Sequence, residues 1–162
     1  MFIFRKLKQP INSITMKSLF DEATFTEIQN RLNTLEQGSN RQWVKMTTAQ
    51  MAHHCQLPLN IILEKETIAM KPNWLVNLLF KKSMYSNRPW RKNLPTIPRF
   101  KETEERDFKA EKTSLENLLQ EFRAQRHRDD WKPHPAFGKL TKEQWGKMQY
   151  KHLDHHFRQF DV

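Results

Sequence analysis

The chain has 162 residues, a length that suits one domain built around one hydrophobic core. Lys and Arg outnumber Asp and Glu by 28 to 18, and the resulting formal charge of +10 favours anionic partners without choosing among them. The single cysteine excludes an intrachain disulfide, and the presence of only three glycines favours helices over a turn-rich sheet.

Apolar runs in the chain are short. The run at the N-terminus, residues 2–4, is too short for a signal peptide, and no stretch approaches the ~18 apolar residues of a membrane span. We therefore expect a soluble, cytoplasmic protein with no membrane partner. Residues 1–15 lack a helical or strand period and are expected to form a loose arm before a single domain of residues 16–162, with Met16 as an alternative start.

Apolar periodicity predicts the first helix over about residues 21–35, where Phe25 and Ile28 are three residues apart on one stripe. The same pattern predicts a helix over about residues 103–126, with Leu115 and Leu119 four residues apart. Each of these helices is expected to bury one face.

Two further helices have capping boxes at their starts. Thr47 and Gln50 form the first pattern, and Thr141 and Gln144 form the second. Pro58 lacks the backbone amide that would bond one turn back, so we expect the second helix to kink or a new helix to begin there.

Residues 71–101 contain no Asp or Glu and eight basic residues. Residues 74–80 are predicted to form a short helix, and three prolines after it indicate a long ordered connection or a flap. The expected fold is an all-α four-helix bundle, with this basic segment crossing between the second and third long helices. The basic residues are Lys71, Lys81, Lys82, Arg88, Arg91, Lys92, Arg99 and Lys101.

Histidines cluster on the two capped helices. His152 and His156 are four residues apart and project from one face of the last helix, while His155 points to its flank. On the second helix, His54 lies three residues after an inward-facing methionine, which favours it over His53. Two imidazoles from one helix and one from another can hold a divalent metal with a position left open.

The residue pattern leaves a second interpretation of equal weight. Buried histidines usually bond polar neighbours, and Gln159 could satisfy His156 without a metal.

Two sequence blocks resemble a known group. The first is Trp43–Cys55; the second is His134-Pro-Ala-Phe-Gly138, continuing through Trp145 to the run His152–Gln159. Over residues 16–160 the chain resembles the DinB-like superfamily, in a branch known as a domain of unknown function.

The resemblance implies a four-helix bundle in which His54, His152 and His156 hold a divalent metal, zinc or nickel. Relatives include thiol-dependent transferases and isomerases that activate a small thiol on the metal, and many are homodimers. The expected function is therefore a metal-dependent thiol transferase, isomerase or hydrolase acting on a small anionic or thiol substrate. The branch has no established reaction, so whether the site is catalytic stays open.

Side chains around the expected centre suggest further roles. Gln159 and His134 are candidates for orienting a ligand or carrying a proton. Arg88, Arg91 and Arg99 are candidates for clamping a carboxylate or phosphate, with a solvated basic loop as the alternative.

A different class of function is also considered. Aromatic residues interleave with the basic ones at Trp74, Tyr85, Trp90 and Phe100, as would suit a surface that binds single-stranded nucleic acid. Because no known nucleic-acid motif accompanies them, a non-catalytic basic domain that binds nucleic acid or another anion ranks below the metal site.

Overall fold

The computed structural model describes residues 16–68, 74–96 and 98–162, which form five α-helices and no β-strand. The all-helical class is therefore confirmed for this part of the chain. The expected loose arm of residues 1–15 lies outside the described residues, as does Lys71. The helices are α1 (Glu22–Thr34), α2 (Thr48–Ile62), α3 (Trp74–Tyr85), α4 (Phe108–Ala124) and α5 (Lys142–Phe157).

Both predicted capping boxes are present. The backbone amide of Thr47 donates to Oε1 of Gln50 at 2.9 Å, and the amide of Gln50 donates back to the Thr47 hydroxyl at 3.2 Å. Thr141 and Gln144 repeat both distances at the start of α5. These reciprocal bonds satisfy backbone amides that the first turn of a helix leaves free, so the helix starts are fixed locally.

A kink or a new helix was expected at Pro58; helix α2 runs through this residue to Ile62 as one element, so no new helix begins there. Pro58 removes a single backbone hydrogen bond. The buried side chains of Leu59 and Ile62, beyond the proline, keep the helix packed on the core. The loss of one bond is offset by continued apolar burial.

Two other helices differ in extent from their predicted ranges. Helix α3 continues past residue 80 to Tyr85. Helix α4 begins at Phe108 instead of near residue 103, because the Asp107 carboxylate accepts a hydrogen bond at 2.7 Å from the amide of Ala110 and caps the helix there.

The helices pack around one hydrophobic core. Helix α2 packs on α4 and α5, α1 packs on α4 and α5, and α3 lies against α5. Among the described residues, no helix combines the length and apolar character needed to cross a bilayer. The largest side chains with almost no exposed surface are Trp145, Phe122 and Phe157.

Candidate metal centre

Three histidines converge between α2 and α5. One ligand-capable nitrogen from each of His54, His152 and His156 lies within 4.8 Å of the others. The Nε2 atoms of His54 and His152 are 3.3 Å apart. The sequence pattern placed these residues on two separate helices, and packing of α2 against α5 brings their rings together.

The spacing fits a common metal ion. Two ligands bound tetrahedrally at about 2.0–2.1 Å from zinc are separated by about 3.3–3.4 Å. The separation of the His54 and His152 Nε2 atoms, 3.3 Å, agrees with that value. The same distance also falls within hydrogen-bonding range, and the two rings can bond directly when no metal is bound.

The outer nitrogens of two rings are held by oxygen acceptors. Nδ1 of His54 lies 3.0 Å from the carbonyl oxygen of Phe100, and Nδ1 of His156 lies 2.8 Å from Oε1 of Gln159. Because these oxygens can only accept, each Nδ1 carries the proton, and each Nε2 keeps a free lone pair. Such outer partners set the tautomer and orientation of metal-binding histidines.

The third ring is oriented by packing. Nδ1 of His152 is buried and has no hydrogen-bond partner among the described residues, as is true of both amide atoms of Gln149 one turn earlier. The indole of Trp90 lies edge-on to the His152 ring, with centroids 6.1 Å apart. The Trp90 indole therefore packs beside the cluster on the side of His152.

Burial keeps the three imidazoles neutral. Loss of hydration lowers the pKa of His54, and it lowers the pKa values of His152 and His156 well below the ordinary value of 6.5. Repulsion from neighbouring histidines lowers the pKa values of His152 and His156 further. The neutral form is the one that can donate a lone pair to a metal.

The neighbouring histidines point elsewhere. Nδ1 of His53 contacts the Glu102 carboxylate at 2.8 Å. The His155 ring packs against Trp43 and Trp90, with centroid separations of 6.3 and 5.6 Å, and burial lowers its pKa to about 4. The structure therefore brings His54, and neither His53 nor His155, into the three-histidine cluster.

Gln159 and His134 occupy different places. Gln159 contacts the cluster by accepting the hydrogen bond from Nδ1 of His156. His134 instead stabilises the turn of residues 134–138, since its Nδ1 accepts hydrogen bonds from the backbone amides of Ala136 and Phe137 at 3.0 and 3.2 Å. Burial lowers the pKa of His134 to about 4.

The three candidate arginines do not form an anion clamp with the histidines. Arg99 bonds Glu66 at 3.3 Å, and Arg88 and Arg91 are exposed. No hydrogen bond or ion pair between described residues joins any of them to the cluster. The basic segment reaches the site through Trp90 and the Phe100 carbonyl.

Sequence reasoning missed the residues that fasten this segment. Nζ of Lys151, a buried side chain, donates to the carbonyl oxygens of Ser83 and Ser86, and burial lowers its pKa to about 8. Nε1 of Trp90 donates to the same Ser83 carbonyl at 3.2 Å. The sequence around Lys151 has no pattern that predicts burial of a lysine. Trp90, a large aromatic residue inside a proline-rich loop, could have been predicted to pack against the helices.

Comparison with known proteins identifies a family. Residues 17–162 match the family described as a protein of unknown function (DUF1569). No curated protein and no solved structure matches the chain. Because the family match covers nearly the whole sequence and includes every residue of the histidine cluster, the chain belongs to the DUF1569 family.

Proposed function

We propose that the protein binds one divalent metal ion, zinc or nickel, through His54, His152 and His156. The supporting observation is the 3.3 Å separation of two Nε2 atoms, one on the buried ring of His54 and one on the half-buried ring of His152, both with a lowered pKa. Two hydrogen bonds support the same proposal. Nδ1 of His54 and Nδ1 of His156 each donate to an oxygen acceptor, which leaves the Nε2 lone pair of each ring free to bind the metal.

The helix contacts support a DinB-like four-helix bundle around this centre. Each of α1, α2, α4 and α5 contacts two of the other three, as expected for four helices around one core. In this arrangement α3 and the basic residues after it form the crossover between α2 and α4. The metal would lie between α2 and α5, where bundle proteins commonly place such sites.

The inferred chemistry is thiol transfer, isomerisation or hydrolysis on a small anionic substrate. A metal held by three neutral imidazoles supplies an open position and lowers the pKa of a bound thiol or water. Phe100 and Gln159 hold two of the rings in position. The net positive charge supports attraction of an anion.

The thiol in this proposal comes from outside the chain. Cys55 is fully buried, and burial raises the pKa of its thiol far above the ordinary value. A protonated, inaccessible thiol is a poor nucleophile.

Nucleic-acid binding is the second candidate, and the structure removes Trp90 from the aromatic residues that could stack on bases. Trp90 packs against His152 and His155, so its ring is not an open stacking surface. Single-stranded oligonucleotides at low salt test this candidate by a salt-dependent mobility shift. Absence of any shift removes it.

The metal proposal is tested by metal analysis of untagged protein purified without metal-charged resin. We expect about one zinc or nickel ion per chain. H54A and H152A should each lose the ion, while H53Q, on the same helix as His54, should keep it. Folded H54A and H152A variants that retain a full equivalent of metal would overturn the assignment.

A further inference from the structure

Helix α3 presents an unusual outer face. Among the described residues, five of the six large apolar side chains that are exposed lie on this helix of 12 residues. The exposed fractions are 76% for Trp74, 71% for Leu78, 60% for Leu79 and 54% for Phe80. Several large apolar side chains exposed on one short helix usually mark an interaction site.

Polar groups attach the helix to the rest of the protein. Nδ2 of Asn77 donates to the Phe137 carbonyl at 3.1 Å, and Nζ of Lys81 donates to the Lys139 carbonyl at 2.7 Å. The buried Lys151 side chain bonds the Ser83 carbonyl near the end of the helix. These bonds turn Asn77 and Lys81 toward the rest of the protein, while Trp74, Leu78, Leu79 and Phe80 are exposed.

Basic residues lie on this helix and follow it closely in the sequence. Residues 74–101 contain seven basic residues and no Asp or Glu. Lys82 lies between Leu78 and Leu79 when side chains are projected down the helix axis, and Arg88 and Arg91 follow within two turns' length of chain. The surface formed by Trp74, Leu78, Leu79, Phe80 and Lys82 therefore combines apolar bulk with a positive field.

We propose that this surface docks the protein onto an anionic lipid bilayer, with α3 lying flat in the interface. Helices that bind membranes in this way place Trp, Phe and Leu among lipids and Lys or Arg near anionic headgroups. Twelve residues are too few to span a bilayer, so the contact is peripheral. The sequence-based expectation of no membrane partner rests on the length of apolar runs, which concerns spanning helices.

A second copy of the chain fits the α3 surface less well than an anionic bilayer does. A twofold contact through α3 would bring Lys82 of each copy into the same interface, and like charges repel. A negatively charged surface carries no such cost. This docking is independent of the metal centre, because none of the residues that form the surface belongs to the histidine cluster.

The test is sedimentation of the full chain with vesicles at low salt. Vesicles of phosphatidylcholine with about one quarter phosphatidylglycerol should bind the protein, and pure phosphatidylcholine vesicles should bind it far less. L78D/L79D should reduce the partition coefficient at least about tenfold, since each change removes a leucine from the interface. K82E/R88E should weaken binding and its dependence on salt.

The matched control is L94D, which changes an exposed leucine of the same basic segment outside α3. It should bind vesicles like the parent protein, and circular dichroism should show that all variants keep their helices. H152A should also bind like the parent, which separates this result from the fate of the metal proposal. Failure to bind anionic vesicles would overturn the proposal, and so would a lipid-free change from dimer to monomer in L78D/L79D.

Discussion

At the scale of single residues, the candidate centre depends on hydrogen bonds that point away from it. Gln159 accepts the Nδ1 proton of His156 at 2.8 Å and thereby leaves Nε2 free to bind. Sequence spacing suggested Gln159 as a neighbour of the cluster, because it lies three residues after His156. The Phe100 carbonyl, which does the same for His54, could not be predicted, since any residue can supply a backbone oxygen.

Replacing Gln159 with leucine should weaken zinc affinity by about 10–100-fold without unfolding the protein, because His156 loses the acceptor that fixes its tautomer. Q159E should keep most of the affinity, since a carboxylate also accepts this proton. Competition with a chromophoric chelator measures the difference. Q120L, at an exposed position of α4, is the control. Equal affinities for Q159L and Q120L would contradict the role of Gln159.

Cys55 should resist thiol reagents in the folded protein. Its side chain has no exposed surface, and burial raises the pKa of the thiol, so little thiolate is available. Reaction with a disulfide reagent near pH 8 should be slow in buffer and complete in concentrated urea. Rapid reaction of the native protein would show that Cys55 is accessible and reopen it as a source of the thiol.

At the scale of helices, the two starts with a capping box were predicted correctly. The capping boxes at Thr47 and Thr141 needed only neighbours in the sequence, and both are present. Helix α2 continues past Pro58 because residues beyond the proline are buried against other helices. Helix propensity, which depends on the local sequence, could not predict this. The later start of α4 could have been predicted locally, because Asp107 is a favourable N-cap residue and caps the helix there.

Gly146 should be a sensitive position of α5. A methyl group there would lie 2.2 Å from the Ser18 hydroxyl oxygen and 2.7 Å from the Phe20 ring, which stacks on Phe122. Although alanine favours helix, G146A should lower the free energy of unfolding by about 1–3 kcal/mol through this crowding. Urea denaturation measures the change.

G38A provides the comparison, because nothing lies within 4 Å of a methyl group at that exposed position. Its free energy of unfolding should stay within about 0.5 kcal/mol of the parent value. A G146A variant as stable as the parent would show that the segment of residues 18–20 does not approach α5 this closely.

At the scale of the whole molecule, buried histidines should link stability to pH. Burial lowers the pKa of His134 and of His155 from 6.5 to about 4. The unfolded chain therefore binds protons at a higher pH than the folded chain does. Stability from these groups is fully present above pH 6.5 and is lost as the pH falls from 6.5 towards 4.

The metal-free protein should accordingly unfold at lower urea concentration at pH 5 than at pH 7. His155, which is 5% exposed, contributes on the order of 3 kcal/mol once protonation is complete. H127Q, at an exposed histidine, should follow the same pH dependence as the parent. A midpoint that stays constant or rises on acidification would contradict the burial of these rings.

Zinc-edge X-ray absorption on the metal-loaded full chain tests the central claim most directly. A site built by His54, His152 and His156 should show three imidazole nitrogens at about 2.0–2.1 Å and one further light ligand. H156A should lose the bound zinc and its imidazole signal, and H53Q should leave the signal unchanged. A spectrum with fewer than three imidazoles, or one that H156A leaves intact, would contradict the account.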